Sequence, residues 1–93
     1  MNALSENEIH EKLKEFEGWE YYENAIHTSL EFQNFKDAFS IMTRIAFEAE
    51  AMEHHPDWSN VYNTLHISLS THDAGGVTDK DFKLAEIVDS LVS

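Results

Sequence analysis

Two stretches of this chain alternate with a period of two. Ile26, Thr28, Leu30 and Phe32 are interleaved with His27, Ser29, Glu31 and Gln33, and Leu65, Ile67 and Leu69 with His66, Ser68 and Ser70. Successive side chains of a strand point to opposite faces, so each run reads as a strand with one face buried and the other wet. A partner precedes each of them. Residues 19–22 lead into the first run across the break Glu23-Asn24, and residues 58–62 lead into the second through a turn near Asn63, which predicts two antiparallel hairpins. His27 and His66 fall on the polar register and are expected at the surface, or for His66 at an interface.

Between and around the hairpins the period changes to that of a helix. Ser5 and Glu8 form a capping box and Leu4 with Ile9 a hydrophobic staple; Ile9, Leu13 and Phe16 then share one face, and Gly18 is expected to end this helix. Asn34 caps a long second helix over 35 to about 54, with Asp37 at its third position. Its stripe is Phe35, Ala38, Phe39, Met42, Ile45, Ala46 and Ala49, while Ile41 and Phe47 lie off it. Thr78 caps a third helix whose apolar face is Phe82, Ala85, Val88 and Val92, helped by Leu84 and Leu91. The order α-β-β-α-β-β-α predicts an α+β domain over 1–93, a four-stranded antiparallel sheet with three helices packed on one face. Ninety-three residues support one core, and a long helix apolar on two sides is then expected to meet a second copy, as a homodimer or homotetramer.

Charge removes several classes of function. Eighteen acidic residues against six basic ones, a formal charge of −12, argue against nucleic acid and anionic membranes as direct partners. No Gly-rich phosphate loop is present, there is no cysteine, and no apolar run is long enough to span a bilayer. A cytoplasmic location is the expectation, since the first residues do not form a secretory signal.

The chemistry gathers at Glu50-Ala51-Met52-Glu53-His54-His55-Pro56. Proline disfavours helical geometry in the residue before it, so two imidazoles are expected at a helix mouth. There the macrodipole raises a histidine pKa and burial lowers it, which brings proton transfer near neutrality within reach. His72 follows the second alternating run and precedes the loop Asp73-Ala74-Gly75-Gly76-Val77. Glu50, His54, His55 and His72 are also competent metal ligands, but adjacent helical residues project about 100 degrees apart, so metal binding is the weaker reading. No serine sits in a nucleophile elbow. Taken alone, His54-His55 would be an ordinary polar helix end.

The joint pattern Glu50-x-x-x-His54-His55-Pro56, Tyr62, His72 and Asp81 resembles the pterin-4a-carbinolamine dehydratase family, known in animals as the dimerisation cofactor of a hepatocyte nuclear factor. Phe35-Lys36-Asp37, Met42-Thr43-Arg44, Asn60-Val61-Tyr62-Asn63 and Leu69-Ser70-Thr71-His72 are similar to family sequence too. The resemblance implies loss of water from a 4a-hydroxytetrahydropterin, giving the quinonoid dihydropterin and recycling the cofactor of an aromatic amino acid hydroxylase. It implies His54 and His72 as acid/base residues and His55 as pterin-binding, with Glu50 placed to orient an imidazole. Pro56, Thr71, His72, Asp73 and Ala74 would line the pterin site, Trp58 would supply an aromatic wall, and Asp81 belongs to the signature. No metal or organic cofactor is required. Animal members carry Glu-Cys after the loop histidine where this chain has Asp73-Ala74, which excludes a thiol here. The alternative is a helix-mediated dimerisation module, a transcriptional cofactor without catalysis.

Overall fold

The computed structural model describes residues 2–93. In it the alternating runs pair as their registers require. The chain runs α1 (Glu6–Leu13), β1 (Glu20–Tyr22), β2 (Ala25–Glu31), α2 (Phe35–Ala51), β3 (Asp57–Val61), β4 (Thr64–Leu69) and α3 (Asp79–Val92), with a 3-10 turn at His72–Ala74. All neighbours are antiparallel in the order β1-β2-β4-β3. Strands β2 and β3 are therefore parallel with β4 between them, and α2 is the crossover that makes this possible. Asp57 stands opposite Ser68. The residues just before β3 thus lie beside those just after β4, and His54-His55 meets Thr71-His72 without any further device.

Ile26 opposite Leu69, Thr28 opposite Ile67 and Leu30 opposite Leu65 form the helix-facing side of the sheet. Against them pack Ile9 of α1, Ile45 and Ala49 of α2, and Leu84, Ala85 and Val88 of α3, all buried. Trp19 is buried as well, and its indole N–H donates to Asp89 Oδ1 at 2.9 Å, pinning the start of the sheet to α3. The first hairpin turns on Glu23 and Asn24, both at positive φ (49° and 61°), the two-residue turn whose twist matches that of the strands.

Four expectations need correction. Helix α1 stops at Leu13, not at Gly18; the next residues form single turns, and Gly18, at φ 93°, bends the chain into the sheet. Helix α2 stops at Ala51, three residues before His54. Glu53 takes φ 53°, and the His54 N–H returns to the Ala49 carbonyl at 3.0 Å, so a left-handed residue closes the helix before Pro56 can act. The stripe on α2 is also divided differently. Ala38, Ile45 and Ala49 are buried and Ile41 packs beside them, whereas Phe35, Phe39 and Phe47 point outward, Phe47 being 69% exposed. Finally, His27 is buried: its Nε2–H donates to the Tyr22 carbonyl at 3.0 Å, and the Tyr22 ring stacks on it with centroids 3.7 Å apart. Tyr22 ends a strand of only three residues and is free to fold back over its neighbour.

Candidate active site

Where the end of α2 meets the end of β4, a pocket of about 260 Å³ is lined by Glu53, His54, His55, Ser70, Thr71, His72, Asp73 and Lys80. Each wall has a local cause. The left-handed turn at Glu53 directs His54 inward, where it is 8% exposed, and leaves His55 exposed at the rim. On the other wall, the Ala74 N–H bonds the Thr71 carbonyl at 3.0 Å and the Thr71 N–H bonds the Gly76 carbonyl at 2.8 Å. This tight turn projects His72 at the end of the sheet, with Gly75 in the left-handed conformation at φ 74°.

Behind His54 sits Asp81, completely buried. As the third residue of α3 it closes a capping box with Thr78, and the same carboxylate faces the imidazole. Its Oδ1 accepts from His54 Nε2 at 2.5 Å; its Oδ2 accepts from the Thr78 N–H at 2.9 Å and from the Thr71 hydroxyl at 2.8 Å. A carboxylate is acceptor-only, so this arrangement puts the His54 proton on Nε2. His54 Nδ1 then remains as a bare acceptor, with no hydrogen bond to another described residue and not sealed from solvent.

Glu50 does not reach His54. It pairs with His55, Oε1 to Nε2 at 2.7 Å, and both side chains are mostly exposed. Because α2 has ended between them, Glu50 and His54 no longer share a helix face, and the carboxylate that orients His54 is Asp81. Trp58 is also elsewhere. It faces the helical layer, lining a groove of about 200 Å³ with Phe39, Met42, Thr43, Ala46 and Phe47 of α2, because its register partner is the core residue Ile67. Pro56 and Ala74 flank the pocket in sequence without lining it. Tyr62, at φ 51° in the turn between β3 and β4, lies at the far end of that hairpin and is exposed.

Sequence reasoning passed over Glu53, Ser70 and Lys80 as pocket residues, and over Thr78 as a partner of the buried carboxylate. The signal for the last was present: Thr78-x-x-Asp81 is a capping box, and its third residue is placed to turn back under the helix end. Among the described residues, no three histidine or acidic side chains converge closely enough to hold a metal ion.

Residues 2–91 match the family model for pterin 4 alpha carbinolamine dehydratase. The chain belongs to the pterin-4a-carbinolamine dehydratase family. A relative from Christiangramia forsetii that bears this dehydratase's name is 65% identical, over 99% of this chain and 95% of its own length. One from Solibacter usitatus is 50% identical over 97% and 95%. The crystal structure of a transcriptional coactivator/pterin dehydratase from Brucella melitensis superposes with a TM-score of 0.96 at 37% identity, covering 99% of this chain and all of that one. The fold built above from strand register is thus that of a solved dehydratase relative.

Proposed function

We propose that this chain is a 4a-hydroxytetrahydropterin dehydratase whose two buried-wall and rim imidazoles, His54 and His72, move the protons. The observation that carries the reading is the Asp81–His54 pair at one side of a pocket whose other side presents His72. In the reaction the C4a–O bond breaks and oxygen leaves as water, N5 loses its proton, and a C4a=N5 double bond remains. One group must give a proton to the departing hydroxyl and another must take the N5 proton. His54 Nδ1, bare and backed by a carboxylate that stabilises the imidazolium, suits the acceptor role; His72, solvated and able to carry a proton from water, suits the donor role. His55 and Asp73 border the same space and are assigned to pterin binding, with Pro56 and Ala74 supporting their loops. No organic cofactor enters this scheme, and the physiological link is recycling for an aromatic amino acid hydroxylase.

Assembly belongs to the same proposal. Phe35, Phe39 and Phe47 project from α2 beside the Trp58 groove, and self-association through this face, as a dimer or tetramer, would remove them from water. The Brucella relative is a transcriptional coactivator/pterin dehydratase, which keeps a partner-binding use of this helix as the second reading. The deciding experiment follows carbinolamine breakdown spectrophotometrically. His54→Ala and His72→Ala are each expected to lose about 10²-fold or more in kcat; wild-type rates in both would end the assignment.

A further inference from the structure

We propose that Thr71 is a positioning residue whose hydroxyl keeps the shared proton on His54 Nε2, so that Nδ1 faces the pocket bare. The catalytic consequence rests on the dehydratase reading; the proton placement does not.

Counting protons makes the case. Thr71 has one hydroxyl proton and two neighbours for it, Asp81 Oδ2 at 2.8 Å and Thr78 Oγ1 at 2.7 Å. Thr78 Oγ1 already accepts from the Lys80 backbone N–H at 3.2 Å, and Asp81 Oδ2 already accepts from the Thr78 backbone N–H at 2.9 Å. Backbone N–H groups can only donate, so both of those directions are fixed. A carboxylate oxygen only accepts, so the Thr71 proton goes to Asp81 Oδ2 and the contact between the two hydroxyls is made by the Thr78 proton; the reverse would leave Thr71 Oγ1 and Asp81 Oδ2 as two acceptors facing each other. The chain of donors then runs from the first turn of α3 through two hydroxyls onto one carboxylate oxygen. Two donors on Oδ2 are matched by an acceptor, which favours the carboxylate; were Asp81 to take a proton from solvent on Oδ1, it would donate to Nε2 across the 2.5 Å contact and the single proton of the neutral imidazole would sit on Nδ1 instead.

Thr71 is only 7% exposed, and its hydroxyl is spent inside this network, so it borders the pocket without offering its side chain to a substrate. Its backbone, through the bonds to Ala74 and Gly76, starts the turn that carries His72. One residue therefore fixes the tautomer of one imidazole and the attachment of the other.

The test is nitrogen NMR of protein labelled with ¹⁵N-histidine, together with steady-state kinetics. In the wild type, above the histidine titration, His54 is expected to show a protonated Nε2 and an unprotonated Nδ1. In Thr71→Val, which keeps the shape and removes the hydroxyl, the Nε2 proton signature weakens and kcat falls about tenfold, with KM within about twofold. Thr71→Ser restores both. A wild-type His54 protonated on Nδ1 overturns the proposal, as does a folded Thr71→Val with unchanged nitrogen signals, or a Thr71→Ser as impaired as the valine variant. If Thr71→Val does not fold, Thr71→Ala, which also lacks the hydroxyl, takes its place against the same outcomes. The expected spectrum without carbinolamine turnover would retire the dehydratase reading and leave the proton placement standing.

Discussion

At the scale of single residues, the site is governed by which carboxylate stands behind which imidazole. Asp81 is sealed in and touches His54, whereas Glu50 is in water and touches His55. A charge-assisted hydrogen bond counts for more where water does not compete. Asp81→Asn would present an N–H to His54 Nε2 and favour the wrong tautomer; kcat is expected to drop about 10²–10⁴-fold, as in triads whose orienting aspartate is so changed. Glu50→Gln is expected to cost less than about threefold, the modest worth of an exposed pair. Parallel kinetics on the two variants check this, and the reverse order would return the orienting role to Glu50. Glu53 carries a separate cost. At φ 53° a β-branched side chain is strongly strained, so Glu53→Val should lower stability by about 1–2 kcal/mol in urea titration.

At the scale of elements, each helix has a sequence-local end and a tertiary purpose. The capping box of α1 pulls the Glu8 carboxyl below its usual value of 4.5, chiefly through the hydrogen bond from the Ser5 backbone N–H and then through the nearby Ser5 side chain. Because the folded-state value is lowered, this stabilisation is present above about pH 4.5 and is lost as pH falls further. Helix α3 does two jobs. Its first turn supplies Asp81 to the site, and its buried face, Leu84 and Val88, holds that turn in place. Leu84→Ala should cost about 2–5 kcal/mol of global stability by the cavity it leaves, read from chemical denaturation. Local losses at the site should follow, since the carboxylate rides on this helix.

At the scale of the whole molecule, the helical layer covers one face of the sheet and leaves the outer side of α2 bare. Phe35, Phe39 and Phe47 leave apolar rings exposed on the outer side of this helix, the kind of surface an interface would cover. Phe47→Glu is expected to keep the far-UV spectrum and convert the assembly to a smaller species in light scattering; an unchanged mass would free this face for a different partner. The pocket is built within one chain from the ends of α2 and β4, so its proton chemistry is expected to survive in any stable monomer.

Much of this was legible before any coordinates. The change of period from two to three-and-a-half and back fixes element type because strand and helix present side chains differently, and the capping pair Ser5/Glu8 and the cap Thr78 mark helix starts through bonds only two or three residues long. The convergence of His54 with His72 follows from β3 running antiparallel to β4. What periodicity does not carry is where a helix gives way to a single left-handed residue, as at Glu53, or which of two acids an imidazole meets. Those depend on groups 27 residues apart in the chain, His54 and Asp81, brought together by packing of α2 on α3. Local spacing offered Glu50 as the partner; the tertiary fold decided for Asp81, because only there is the carboxylate removed from water.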